Sequence, residues 1–227
     1  YLLFRRVARC RPVRTIWQVH FHPFSHHRRP LLAKLYFYSV NLALASIVDT
    51  VVAITPIEKK YLAKFITSSK IRVVPNPLRS FSEDLDVEND SKYIDGENTS
   101  RPYVLTVGRN DYNKNIAAVS ALTNAIKAAG YDSIIVTNNK DHIDPNCTVH
   151  LACSDDELNN LITNAYCVII PAKYEAFSLV AIESIARGTP LICGPNVGAL
   201  SFECVRRAAV ITDFTESSFV SCLRKVN

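Results

Sequence analysis

Pro171-Ala-Lys-Tyr-Glu-Ala-Phe-Ser-Leu-Val-Ala-Ile-Glu-Ser-Ile-Ala-Arg-Gly-Thr-Pro190 is the stretch on which the fold turns, because it holds a strand end, a loop and a punctuated helix. Ser178 suits an N-cap, Phe177 and Ile182 stand at the spacing of a hydrophobic staple, and Gly188 followed by Pro190 marks a helix end. The pattern predicts a helix from Leu179 to Arg187. Just upstream, Tyr166-Cys-Val-Ile-Ile-Pro171 is a short apolar run of the kind buried on both faces of a parallel sheet. A strand therefore delivers the chain to a helix N-terminus. In open α/β sheets ligands sit beyond the carboxyl ends of the strands, where amide groups and the positive helix end favour phosphate.

Working outward, strands and helices alternate on both sides of this stretch. Toward the N-terminus the chain reads as strand Tyr103 to Val107, Gly108-Arg109, then a helix apolar at Ile116, Val119, Leu122 and Ile126 and ending at Gly130. Strands follow at Ser133 to Thr137 and Thr148 to Ala152, and Ser154-Asp-Asp-Glu157 is a capping box opening a helix to about Asn164. Beyond Pro190 come strand Leu191-Ile-Cys193 and the turn Gly194-Pro-Asn-Val-Gly198. Earlier in the chain, strands are expected at Thr15 to His20, Asp49 to Ile54 and Lys70 to Val74, with a helix capped by Thr55, Pro56 and Glu58. The alternation predicts α/β architecture with doubly wound parallel sheets.

Two carboxylates, Glu175 and Glu183, stand within the opening stretch with seven residues between them. Glu175 precedes the helix and can face a cleft. Glu183 lies about a turn inside, where two acceptor oxygens could meet a pair of adjacent hydroxyls such as those of ribose. Taken alone, both are equally readable as solvated charges near a helix start. Arg109 and Lys114 place two cations beside another helix start, and taken alone they too are readable as solvated loop charges.

Four segments together resemble the retaining glycosyltransferases of GT-B fold, family 4. They are Asp49 to Thr55, Val73-Val-Pro-Asn76, Val104 to Asn115 with its Gly-Arg and Lys-Asn pairs, and the Glu-x7-Glu run from Glu175 to Glu183. The resemblance implies a GT-B fold of two Rossmann-like domains. It implies residues 1–77 as the second half of an incomplete N-terminal, acceptor-side domain, 78–100 as an acidic linker, and 101–227 as the nucleotide-sugar domain. It implies transfer, of the hexosyl type, from a nucleotide-diphosphate sugar to a glycan or lipid-linked acceptor in polysaccharide biosynthesis, with retention of configuration and no required metal or other cofactor. By the same likeness Gly108 allows close approach, and Arg109 and Lys114 bind the donor diphosphate and stabilise its growing charge, as a planar fork and a point charge can. The amides of Phe177, Ser178, Leu179 and Val180 assist, Glu183 holds ribose, Glu175 contacts the transferred sugar, and His20 faces that sugar from the N-terminal domain. Ser178 stands where the family usually has Gly, and Ala172 where Ser is common. The family's Gly-rich N-terminal loop does not occur in this sequence, which begins without Met and reads as part of a longer chain.

Composition bounds the alternatives. With 227 residues, 48% of them hydrophobic, the chain can bury one large or two modest cores. Its seven cysteines form no C-x-x-C pair and read as packed, reduced thiols of a cytoplasmic protein. Residues 1–40 carry eight cations and no acid, a patch suited to an anionic membrane surface or a lipid-linked phosphate. Nucleic acid ranks low because the aromatic and basic interleaving of a single-strand platform does not occur. Histidines 20, 22, 26 and 27 lack metal-ligand spacing, and Asp84-Leu-Asp86 lacks the preceding strand of a metal-binding motif. Three other readings stay open: a noncatalytic GT-B subunit, a sugar-nucleotide epimerase, and a basic surface-binding module.

Overall fold

The computed structural model describes residues 14–18, 32, 39–40, 42–43, 45–78 and 101–226. His20, nearly all of the basic stretch 1–40 and residues 79–100 of the acidic linker, with Asp84 and Asp86, lie outside the described residues. The chain divides into two compact units, Tyr1–Asn76 and Pro77–Asn227.

Among the described residues the first unit holds a parallel sheet of three strands, β1 (Ile16–Gln18), β2 (Thr50–Ala53) and β3 (Ile71–Val73), in the order β1-β2-β3. The register pairs Val51 with Ile71 and Ala53 with Val73. Val51, Ala53 and Ile71 are buried with Leu62 of helix α1 (Pro56–Leu62) in one cluster. Thr55 caps α1 by accepting from the Glu58 amide at 3.3 Å. The expected capping box is altered: the Glu58 carboxylate accepts from the amide of Ile54, one residue before the cap, at 2.6 Å. That bond ties the strand exit to the helix start, since Glu58 is buried and a buried carboxylate needs donors.

In the second unit six described strands form a parallel sheet: β4 (Tyr103–Val107), β5 (Asp132–Val136), β6 (Thr148–His150), β7 (Cys167–Ile170), β8 (Leu191–Cys193) and β9 (Ala209–Ile211). Their order is β6-β5-β4-β7-β8-β9. The chain starts at the centre with β4, winds outward to β6, returns to β7 and winds out the other way. Between β4 and β7 lies the switch point at which such sheets bind ligands.

The all-apolar strand β7 shows why the sheet needs two covers. Val168 and Ile170 pack with Leu105 and Leu191 and with residues of helices α4 (Asp155–Asn164), α5 (Leu179–Ala186) and α6 (Glu203–Ala208). Cys167 and Ile169 pack on the opposite face with Val104 and Ile192 and with helices α2 (Ile116–Ala121), α3 (Thr123–Ala128) and α7 (Glu216–Leu223). Alternate side chains of one strand thus serve two cores. Burial pushes the thiols of Cys167 and Cys193 up to about 12, so both stay protonated and act as small apolar groups. All six cysteines among the described residues are free thiols.

Two sequence expectations change here. The single helix expected after Lys114 is two short ones, α2 and α3, separated at Leu122. The strand expected to reach Ala152 ends at His150. Elements α6, β9 and α7 carry too few turn and cap signals to stand out in sequence; β9 completes the sheet edge, α6 the first cover and α7 the second. No described helix is long and apolar enough to cross a membrane.

Candidate functional site

The loops after β4, β7 and β8 emerge at one edge of the second sheet, side by side because their strands are neighbours. The β4 loop is built on Asp111. Its Oδ1 accepts from the amides of Asn113 and Lys114, each at 2.9 Å, and its carbonyl accepts from the Asn115 amide at 3.0 Å. Asn110 ties this loop to the one after β5: its amide donates to Asn138 Oδ1 at 2.7 Å, and its side chain donates to Asn139 Oδ1 and the Asp141 carbonyl. The aliphatic stem of Lys114 passes over Gly108, where a Cβ would stand 3.4 Å from it.

The β7 loop is fastened to the β4 loop at three points. Lys173 donates its amide to the Asn113 carbonyl at 2.8 Å, Asn115 Nδ2 donates to the Pro171 carbonyl at 3.1 Å, and the Lys114 ammonium pairs with Glu175 Oε2. The Lys173 ammonium also lies 3.9 Å from the centroid of the Tyr112 ring, a cation–π contact between the same two loops. The β8 loop joins through backbone: Glu175 donates to Asn196 at 3.2 Å and accepts from Gly198 at 2.8 Å. Residues 61 apart in sequence, Lys114 and Glu175, meet at the switch point with their side chains 29% and 17% exposed.

Asn115 has φ of 55°, in the left-handed region that favours Gly and Asn. Its side chain performs a separate task, the clamp on Pro171. Asn115→Gly is therefore expected to keep the backbone and lose the clamp, whereas Asn115→Ala loses the clamp and adds strain of about 1 kcal/mol. Thermal unfolding of the two variants checks this. If Ala proves the milder change, the left-handed conformation is not what the position requires.

Helix α5 starts where the sequence places it and ends one residue earlier, with Arg187 as C-cap. Ser178 Oγ accepts from the Ala181 amide at 3.3 Å, but Ser178 itself has φ of 78° and ψ of 93°. A non-glycine residue pays about 1–3 kcal/mol there, which is the physical reason Gly suits this position better. The helix closes in a Schellman turn: Gly188, at φ of 74°, donates to Ile185, and Thr189 donates to Ser184. Phe177 is buried and meets Phe202 edge-on, with ring centroids 6.1 Å apart.

The structure places the sequence candidates unevenly. Gly108, Arg109, Lys114, Glu175 and residues 177–180 share the edge formed by the loops after β4 and β7. Arg109 is 76% exposed and ion-paired with Asp111 at 3.3 Å, a pairing so exposed that it holds the guanidinium weakly. Glu183, read from sequence as a pair of acceptors for ribose, is only 3% exposed, on the inward side of α5 with Ala181 and Ser184. Next to it Arg187 donates to the Glu183 carbonyl at 2.9 Å and to Asn159 on α4. Burial lowers the Arg187 pKa, and the Glu183 carboxylate works against that shift. Sequence reasoning missed Asn110, Asn115, Lys173 and Gly198 as loop fasteners. Asn115, next to Lys114 and before a helix, and Gly198, closing a turn, carried a local signal.

The sequence matches a known family model, described as glycosyl transferases group 1, over residues 88–206, more than half of the chain. The chain belongs to that family. Among curated relatives, the group 1 chain is 26% identical over 147 residues to an uncharacterized glycosyltransferase of Methanocaldococcus jannaschii, covering 58% of this chain and 37% of the relative. It is 41% identical over 58 residues to an MMP alpha-(1->4)-mannosyltransferase of Mycolicibacterium hassiacum, covering 23% of this chain and 14% of the relative. Among solved structures it resembles sucrose-phosphate synthase from Thermosynechococcus elongatus, with TM-score 0.72 and 18% identity over 99% of this chain and 61% of that one. The fold is GT-B. The chain spans less than two thirds of the length of each of these proteins.

Proposed function

We propose that this group 1 chain is the donor-binding part of a retaining glycosyltransferase of family 4 that uses a nucleotide-diphosphate sugar. The observation that carries the reading is the meeting of Lys114 and Glu175 at the β4/β7 switch point, beside the amino end of α5. A cation, a carboxylate and helix amides at one strand edge suit a diphosphate joined to a sugar. In this account Arg109 and Lys114 hold the diphosphate with the amides of residues 177–180, and Glu175 accepts from hydroxyls of the transferred sugar. Glu183 accepts from ribose after a side-chain rotation that brings it out of its buried position. Fixed cations and dipoles stabilise the leaving diphosphate, so the reaction needs no metal. The acceptor is a glycan or lipid-linked saccharide, reached at the cytoplasmic side.

A thermal-shift panel with UDP, GDP, ADP and their sugars tests the reading. At about 100 times its Kd one ligand should stabilise the chain by roughly 2.7 kcal/mol. Arg109→Ala and Glu183→Ala are each expected to remove that shift. Retention of the full shift in both variants would overturn the site, and release of free nucleotide from the sugar donor separates an enzyme from a noncatalytic subunit.

A further inference from the structure

We infer that Glu175 is an internal competitor for Lys114, tuned so that the site holds a nucleoside diphosphate carrying a sugar better than the same diphosphate without one. The inference rests on the donor-site reading above and goes beyond it, because it assigns Glu175 a role in rejecting the spent product.

The geometry is specific. Lys114 and Glu175 are both largely shielded, at 29% and 17% side-chain exposure, and each is fixed from behind. The backbone of Lys114 is held by the hydrogen bond its amide donates to Asp111 Oδ1, and its stem packs over Gly108. Glu175 is held by backbone bonds to Asn196 and Gly198 on the β8 loop. Both backbones are thus anchored with the two charges facing each other. A diphosphate arriving at Lys114 must therefore share the ammonium with a carboxylate, and its own oxygens come close to a like charge in a partly desolvated setting. That repulsion is offset when hydroxyls of an attached sugar donate to the carboxylate, since a hydrogen bond to a charged acceptor is about twice as strong as a neutral one. Once the sugar has left, those donors are gone and the repulsion is felt in full. The Glu175 carboxylate then takes Lys114 back, which favours departure of the diphosphate.

Removing the carboxylate charge should accordingly strengthen binding of the bare diphosphate, a direction opposite to that of an ordinary site residue. The test is calorimetric titration of the chain and of Glu175→Gln with three ligand pairs: UDP and UDP-glucose, GDP and GDP-mannose, ADP and ADP-glucose. For the pair that binds, Glu175→Gln is expected to tighten the bare diphosphate about threefold. The sugar donor should bind no more tightly than before, so the preference for it falls. Inorganic pyrophosphate serves as a second probe and should also tighten, because it lacks both sugar and ribose. Glu175→Ala is the second variant and should tighten the bare diphosphate as the Gln variant does, provided its melting temperature stays near that of the parent chain. Unchanged or weaker binding of diphosphate and pyrophosphate by a folded Glu175→Gln protein overturns the inference and leaves the donor-site reading in place. Failure of the parent chain to bind any of the ligands overturns both.

Discussion

Lys114→Met is expected to weaken nucleoside diphosphate binding roughly 10- to 100-fold, the range for losing one hydrogen bond to a charged group. Methionine keeps most of the stem that packs over Gly108 and deletes only the ammonium. The loss is compounded at the site, because Glu175 then presents its carboxylate to the incoming phosphates with no cation between them. On the proposed function, the expected fall in turnover is larger, about 100- to 1,000-fold, as for other groups that neutralise charge developing on a leaving group. Lys114→Arg restores charge but not position: the planar guanidinium is longer and prefers a fork of two acceptors, so partial recovery is expected. Titration calorimetry of the three proteins against the diphosphate that shifts the parent chain decides the matter. Parent-like affinity in Lys114→Met would remove Lys114 from the site.

Gly198→Ala is expected to be the most damaging small substitution in the second unit. Gly198 donates to the Glu175 carbonyl, and a Cβ at this position would overlap the Ala176 carbonyl group, 2.6 Å from its carbon. The obstacle is backbone, which cannot rotate away as a side chain can. Either the β8 loop parts from the β7 loop or both shift. Overpacking of this sort costs about 3 kcal/mol, and for a protein of this size that corresponds to a melting temperature lower by about 6–12 °C. Glu175 and the start of α5 sit on the displaced loop, so ligand-induced stabilisation should be lost as well. A thermal melt with and without diphosphate measures both effects. An unchanged melt would show that the two loops are not held as closely as Gly198 implies.

Much of the second unit is legible from local chemistry. Cys167 to Ile170 is apolar at every position, as a strand covered on both faces requires. Ser154 and Glu157 complete a capping box because the spacing of three places each side chain on the other's amide. Gly188 and Pro190 end α5 because one residue adopts positive φ cheaply and the other has no amide to continue the ladder. Other features were out of reach of any local rule. The break at Leu122 interrupts a helical period that is itself unbroken, and the burial of Glu183 depends on neighbours from α4 and α5 that converge only on folding. The positive φ at Ser178 likewise reflects where the β7 loop must end and α5 begin.

What the residue order determined by itself was the parallel α/β plan, the ends of its main strands and helices, and the identities of the charged residues near strand ends. These follow from periodicity, caps and breakers, which act over a few residues. The tertiary structure alone decided that Lys114 faces Glu175, that Arg109 turns to Asp111 in the open, and that Gly198 lets the β8 loop touch the β7 loop. The first and last of these depend on strand order, and strand order is chosen by how two hydrophobic faces of one sheet are covered at once, a condition no short segment can express.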